Sequence, residues 1–145
     1  MSRLQLRILD MEADGLELAV IADRLGLPLI RVKRIQARAQ SQLGTGSRAG
    51  MVGELYRTGV FVRRPVPSSV LLPVLTAVGV APLPLVARGR SNAEIAAVLG
   101  ITEAAANSRV RWLLRAFGAS NRAHLVRLTV DAGVLSPLLN LVGAE

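Results

Sequence analysis

The side chains that ordinarily perform catalysis or hold metals are few in this chain and far apart. His124 is the only histidine and there is no cysteine, so a zinc site or a nucleophile with its base would have to be assembled from isolated carboxylates. The acidic residues form no paired motif of the kind that general acid–base chemistry needs. The run Gly44-Thr45-Gly46-Ser47-Arg48-Ala49-Gly50 has the look of a phosphate cradle, but no strand precedes it and no lysine–hydroxyl pair follows. These features point away from an enzyme, and no cofactor or metal is expected. What stands out is positive charge: 18 Lys and Arg against 10 Asp and Glu give a net +8. A field of that sign concentrates polyanions, and nucleic acid or an anionic membrane surface is the natural partner.

A chain of 145 residues has room for one ordinary domain or two very small ones, and for no deep substrate cleft. The lack of cysteine suits a reducing compartment, and the start Met1-Ser2-Arg3-Leu4-Gln5-Leu6-Arg7 has no apolar signal core. The expected location is therefore cytoplasmic. Pro65 to Ala87 carries no charge and follows Arg63-Arg64, as a membrane span would. Pro65, Pro67, Pro73, Pro82 and Pro84 would interrupt a lone lipid-exposed helix repeatedly, so no membrane partner is expected.

The elements that position the charge are organised by a repeat. Ala13 to Phe61 matches Ala87 to Leu135 at a constant offset of 74 without a gap. Gly15, Ile21, Ala22, Leu25 and Gly26 recur as Gly89, Ile95, Ala96, Leu99 and Gly100, and Gly44, Arg48, Ala49 and Val52 as Gly118, Arg122, Ala123 and Val126. Shared glycines and apolar residues imply the same turns and the same buried faces. In the second copy the apolar spacing is helical throughout: Ile95, Ala96 and Leu99; then Val110, Leu113, Leu114 and Phe117; then Leu125, Val126, Leu128 and Thr129. Gly100, Gly118 and Gly133 close the three helices, Ser91 with Glu94 forms a capping box, and Thr102 is an N-cap. Short helices joined by a tight turn make an all-α chain of two tandem helix-turn-helix units joined by a proline-containing apolar linker. The expected boundaries are residues 1–61, a linker at 62–74, a second unit at 75–137 and a tail at 138–145.

The second copy, with Gly89-x-Ser91-Asn92-x-Glu94-Ile95-Ala96-x-x-Leu99-Gly100-Ile101-Thr102, then Leu113, Gly118 and Asn121-Arg122-Ala123, resembles the LuxR/GerE helix-turn-helix signature. The first copy is recognisable mainly through its alignment with the second. The resemblance implies a bacterial, sequence-specific, double-stranded-DNA-binding transcriptional regulator. In each unit it makes the middle helix the recognition helix, with its N-terminal side chains in the major groove. Those positions are Arg31, Lys33 and Arg34 in copy one, and Thr102, Ala105, Asn107, Ser108 and Arg109 in copy two. Arg31 and Arg34 suit bidentate contacts to guanine and Asn107 suits adenine, while Lys33, Arg38, Arg111 and Arg115 suit phosphates or flanking bases.

The departures from that pattern carry their own expectations. The family usually has Thr-Val-Lys-x-His where copy two reads Ala105-Ala106-Asn107-Ser108-Arg109, which weakens or alters its contact with DNA. Pro28 stands where a capping Ser or Thr is usual. Pro82 and Pro84 fall where the first helix of copy two would run, so that helix is expected to be shortened or displaced toward Ser69 to Val78. The family's last helix, here Ser47 to Thr58 and Asn121 to Ala132, commonly dimerises, so the chain is expected either to form a homodimer or to pair its own copies as a pseudo-dimer. The high apolar content, 51%, alternatively marks a surface for a protein partner, with the linker and the tail Leu138-Leu139-Asn140-Leu141-Val142 as candidates. In that second reading the chain is a protein-interaction module that modulates another regulator and binds DNA weakly. Trp112 lies off the core stripe of its helix and is expected to pack against the other copy or a partner.

Overall fold

In a computed structural model that describes residues 1–64, 66 and 75–136, the chain is all-α. Copy one contributes α1 (Arg3–Ala13), α2 (Leu18–Leu25), α3 (Leu29–Gln42) and α4 (Arg48–Arg57). Copy two contributes α5 (Ala77–Val80), α6 (Leu83–Ala87), α7 (Asn92–Leu99), α8 (Glu103–Phe117) and α9 (Arg122–Asp131). The sequence offset carries over into the elements: α7 and α9 begin and end 74 residues after α2 and α4. Gly26 and Gly100 close α2 and α7 in left-handed conformation, with φ of 64° and 67°, where a Cβ would be strained. That residue turns the chain sharply from α2 into α3 and from α7 into α8, and no atom lies close enough to fill the space in its place.

The cap residues act as their types suggest. Ser91 Oγ accepts from the Glu94 amide while Glu94 Oε1 accepts from the Ser91 amide, Thr102 Oγ1 accepts from the Ala105 amide, and Asn121 Oδ1 accepts from the His124 amide. Ser2 and Gln5 form a second capping box at α1. Pro28 begins α3 with no side-chain cap.

The first helix of copy two is divided where it stands and is not displaced. The segments α5 and α6 lie within the span equivalent to α1, with Pro82 at the N-cap of α6 and Pro84 in its first turn. There a missing amide costs nothing, because the first-turn donors have no intrahelical acceptor. Ser69 to Val74 lies outside the described residues, as do most of the linker, residue 137 and the tail at 138–145. Among the described residues no helix is long and apolar enough to cross a membrane.

Two cores result. A small one holds copy one's helix-turn-helix together through Ile8, Leu18, Ile21, Ala22 and Val32. The larger one joins both copies: Met51, Val52, Leu55 and Tyr56 of α4 pack with Leu125, Val126 and Val130 of α9, and Leu83, Val86 and Ala87 of α6 close over them. The packing of α4 on α9 is the most extensive between any two elements. Each copy's first helix also crosses to the other copy's last one, α1 onto α9 and α6 onto α4.

The two crossings occupy equivalent positions but differ in chemistry. At α4–α6, Gly53 lies against the Ala87 backbone so closely that an added Cβ would fall within the contact radius of the Ala87 carbonyl oxygen. The residue 74 positions later is Arg127, almost fully buried, and at α1–α9 its guanidinium fills the wider gap. Its Nη1 donates to Asp10 O at 2.9 Å and to Asp14 Oδ1 at 3.0 Å, and its Nη2 donates to Asp10 Oδ1 at 2.6 Å. Its Nε donates to the Tyr56 hydroxyl at 3.2 Å, and that hydroxyl donates in turn to Asp131 Oδ1 at 3.0 Å. Burial, with a smaller push from Asp131 and against the pull of Arg127, raises the Tyr56 pKa to about 12. The Arg127 guanidinium also lies 4.7 Å from the centroid of the Phe61 ring. Arg64 closes the network, bonding Asp131 Oδ2 at 3.2 Å and Asp14 Oδ1 at 2.9 Å.

Glu12 is a further buried ionisable group, outside that network. It is 1% exposed, and neither carboxylate oxygen accepts a hydrogen bond. Burial raises its pKa from the ordinary 4.5 to about 7, against the pull of Arg48, whose Nε stands 3.1 Å away. The native state therefore holds this proton more tightly than the unfolded chain does. Its contribution is fully present below about pH 4.5 and is lost as pH rises toward 7. Glu12→Gln should match the wild type near pH 5 and exceed it at pH 8 by roughly 2–3 kcal/mol; urea titrations at the two pH values measure this, and equal differences at both would refute it. Gly53→Ala should cost about 1–3 kcal/mol by overpacking the α4–α6 crossing, despite the better helix former. The open position Gly46, mutated to Ala as a control, should stay within about 0.5 kcal/mol of wild type.

Candidate nucleic-acid interface

In copy one, Val32, Gln36 and Ala39 turn the inner face of α3 to the core. Arg31, Lys33, Arg34 and Arg38 are all exposed, and Arg31, Arg34 and Arg38 follow one another at three- and four-residue steps along one outer face. In copy two the inner face of α8 is Ala106, Val110 and Leu113. Asn107, Ser108, Arg111 and Arg115 are exposed, while Ala105 and Arg109 are half-buried. Thr102 is exposed, but its hydroxyl is occupied as the cap of α8, so the structure gives it a structural task.

The electrostatics divide the arginines into two groups. Among the described residues the ion pairs all fall on Arg48, Arg57, Arg64, Arg90 and Arg127. Their partners are Asp10, Glu12, Asp14, Glu17, Glu54, Glu94 and Asp131, which takes up most of the acidic side chains in holding the scaffold. Among the described residues no carboxylate pairs with Arg31, Lys33, Arg34, Arg38, Arg109, Arg111 or Arg115. The cations on α3 and α8 are the largest group left for an external anion; exposed Arg3, Arg7, Arg24 and Arg88 also lack an ion pair among the described residues.

The N-termini of α4 and α9 meet at a cleft of about 530 Å³ with Arg48, Arg90 and Arg122 in its walls. These three are engaged within the protein. Arg48 meets Glu12 and Glu17, Arg90 meets Glu94, and Arg122 donates to the Arg90 carbonyl and to Asn92 Oδ1. His124 sits beside this junction on α9, partly buried, and its Nδ1 accepts from the Ser120 amide at 3.1 Å. Burial lowers its pKa, consistent with a neutral ring that accepts at Nδ1. Among the described residues no cluster of His, Cys, Asp or Glu is arranged to hold a metal.

Equivalent grooves flank the two middle helices. In copy one Ser2, Leu4, Ile35 and Arg38 line a groove of about 430 Å³. In copy two Thr76, Val78, Arg109 and Trp112 occupy the same positions around one of about 320 Å³. Trp112 thus takes the place of Arg38, is 42% exposed, and packs beside Gly79 of its own copy, where an added Cβ would lie 3.7 Å from the ring. The groove and the Gly79 contact both lie within copy two, whereas the sequence had suggested packing against the other copy or a partner.

Sequence reasoning did not find Arg127 and Glu12. Both had a visible signal, a charge inside an apolar helical stripe: Arg127 four residues after Ala123 and three before Val130, Glu12 four residues after Ile8. The mismatch of Gly53 with Arg127 across the repeat was a second one.

Part of the chain resembles a curated protein, the transcriptional regulatory protein MctR of Rhizobium johnstonii, at 43% identity over 54 residues. That stretch is 37% of this chain and 25% of the relative, so the likeness spans a quarter of the relative's length. No family model and no solved structure matches the chain.

The Thr102 cap sets the first turn of α8. Thr102→Ala should lower unfolding stability by about 1 kcal/mol, and Thr102→Ser should restore most of it; thermal melts of the two variants check this, and equal melting of Thr102→Ala and wild type would contradict the assignment.

Proposed function

We propose that this chain is a transcriptional regulator that binds double-stranded DNA through two unequal helix-turn-helix units of the LuxR/GerE type. The observation that carries the reading is the division of charge: most of the described carboxylates are taken up within the scaffold, while exposed cations without a carboxylate partner among the described residues line α3 and continue along α8. The similarity to a protein named as a transcriptional regulator supports it. So does the handling of each middle helix, which buries one face and presents the other at the end of a tight turn. On this reading the chain is not an enzyme and works in the cytoplasm.

The packing of α4 on α9 would serve as an internal dimer interface, so that a single chain presents both recognition helices. Copy one, with Arg31 and Arg34 toward guanine, would supply most of the base reading; copy two, with Ala105 and Ser108 at the equivalent positions, would supply less. An operator with two dissimilar half-sites follows. A second reading, a module that docks on another regulator, is favoured by exposed Trp112 and Val78 on α8 and α5 and by the weak base-reading set of copy two.

Selection of bound duplexes from a random pool by the full chain at physiological salt separates these readings, because low salt inflates nonspecific binding. The regulator reading expects an enriched motif with two unequal parts, bound by one chain per duplex. Arg31→Ala or Arg34→Ala should weaken cognate binding by roughly 1–3 kcal/mol and relax one base position. A pool that stays unenriched would overturn this reading in favour of the docking module.

A further inference from the structure

We propose that Asn92 is a positioning residue that fixes the polarity of the Asn107 side-chain amide, so that Asn107 meets DNA as a hydrogen-bond donor. The inference rests on the DNA-binding reading above and specifies how copy two takes part in it.

The geometry is a relay that runs inward from the recognition helix. Arg122, the first residue of α9, donates one η nitrogen to the Arg90 carbonyl at 3.2 Å and the other to Asn92 Oδ1. Asn92, the first residue of α7, donates Nδ2 to Asn107 Oδ1 at 3.3 Å. A guanidinium has donors and no acceptor, so it can meet Asn92 only at the oxygen. That leaves the Asn92 NH2 group facing α8, where Asn107 can answer only with its own oxygen. The direction of every bond in the relay follows from the charge at its inner end. Asn107 is exposed, and with its oxygen engaged toward α7 the group it offers outward is its NH2.

Copy one arrives at the same presentation by different means. The residue equivalent to Asn107 is Lys33, which has donors only. Leu18 stands in place of Asn92 and is buried, and Arg48, in place of Arg122, turns to Glu12 and Glu17. The relay therefore exists in copy two alone, where it makes an ambivalent amide behave like the lysine of copy one. The bidentate reading of adenine suggested by the residue type needs donor and acceptor together. A donor alone favours an acceptor edge, such as guanine O6 and N7 or thymine O4.

The test compares full-length wild type, Asn92→Asp and Asn92→Leu in the same random-pool selection, with melting curves to establish that each folds. An aspartate accepts from Arg122 and cannot donate to Asn107. In Asn92→Asp the Asn107 amide should therefore reverse, moving the preference at one base position toward a donor edge, adenine or cytosine. Asn92→Leu, which installs the copy-one residue, should lose about three- to tenfold of discrimination at that position and leave the positions read by Arg31 and Arg34 unchanged. In an Asn107→Lys background, Asn92→Leu should have no effect on specificity. A wild-type motif that survives both Asn92 variants unaltered overturns the relay and leaves the regulator reading standing, as does a loss that is uniform across all sequences. A wild-type chain that enriches no motif overturns the DNA reading itself, and the relay's role with it. Should Asn92→Leu fail to fold, Asn92→Asp decides the matter, alone and in the Asn107→Lys background, where it should leave specificity unchanged.

Discussion

Neither half of this chain closes a core of adequate size alone, and the structure depends on the burial of α4 against α9 that follows. Three or four short helices leave an apolar face uncovered, and a domain of some sixty residues buries too little surface to be robust. Copy one keeps only a small private core around Ile8, Ile21 and Val32. The remaining apolar residues of both copies, from Leu9 and Leu55 to Leu125 and Leu135, form one continuous core. Everything that positions α3 and α8 is fastened to that shared centre, since α6 lies across α4 and α1 across α9.

The shared centre is symmetric in plan and asymmetric in composition. Two identical copies would place the same residue at both crossings. Here one crossing has Gly53, which lets backbones meet, and the other has Arg127, which keeps them apart and fills the gap with a hydrogen-bonded guanidinium. Burying a charge is costly, and the cost is met only because Asp10, Asp14, Tyr56 and Asp131 saturate the network. Such an interface is matched to its own opposite half and poorly matched to a second copy of itself.

The same economy explains the charge on the surface. Ten acidic residues cannot neutralise 18 basic ones, and most of the ten are committed where helices cross or begin. Much of the surplus positive charge therefore lies on the outer faces of α3 and α8, with Arg3, Arg7, Arg24 and Arg88 exposed elsewhere. Copy two softens this by substitution: Ala105, Asn107 and Ser108 replace Arg31, Lys33 and Arg34, and Trp112 replaces Arg38. Asn92 and Arg122 then act on what is left, setting the orientation of an amide that the backbone alone would leave free.

The helices, their caps and their order were legible in the residues, because these depend on neighbours within a few positions. Ser91 with Glu94, Thr102, Gly100 and Gly118 mark helix ends through local hydrogen bonds and a left-handed backbone, and the spacing of Ile95, Val110 and Leu113 marks the buried faces. The repeat was legible for the same reason, as was the all-α class. The prolines at 82 and 84 announced a break but not its form, since whether a helix splits in place or moves depends on what it packs against. The partners of Arg127, the burial of Glu12, the side on which Trp112 packs and the direction of the Asn92–Asn107 bond were decided only by the tertiary structure. Each joins groups that are 15 to 117 residues apart in sequence or depends on the burial they create, and local pattern holds no information on which distant group will arrive to satisfy a charge or an amide.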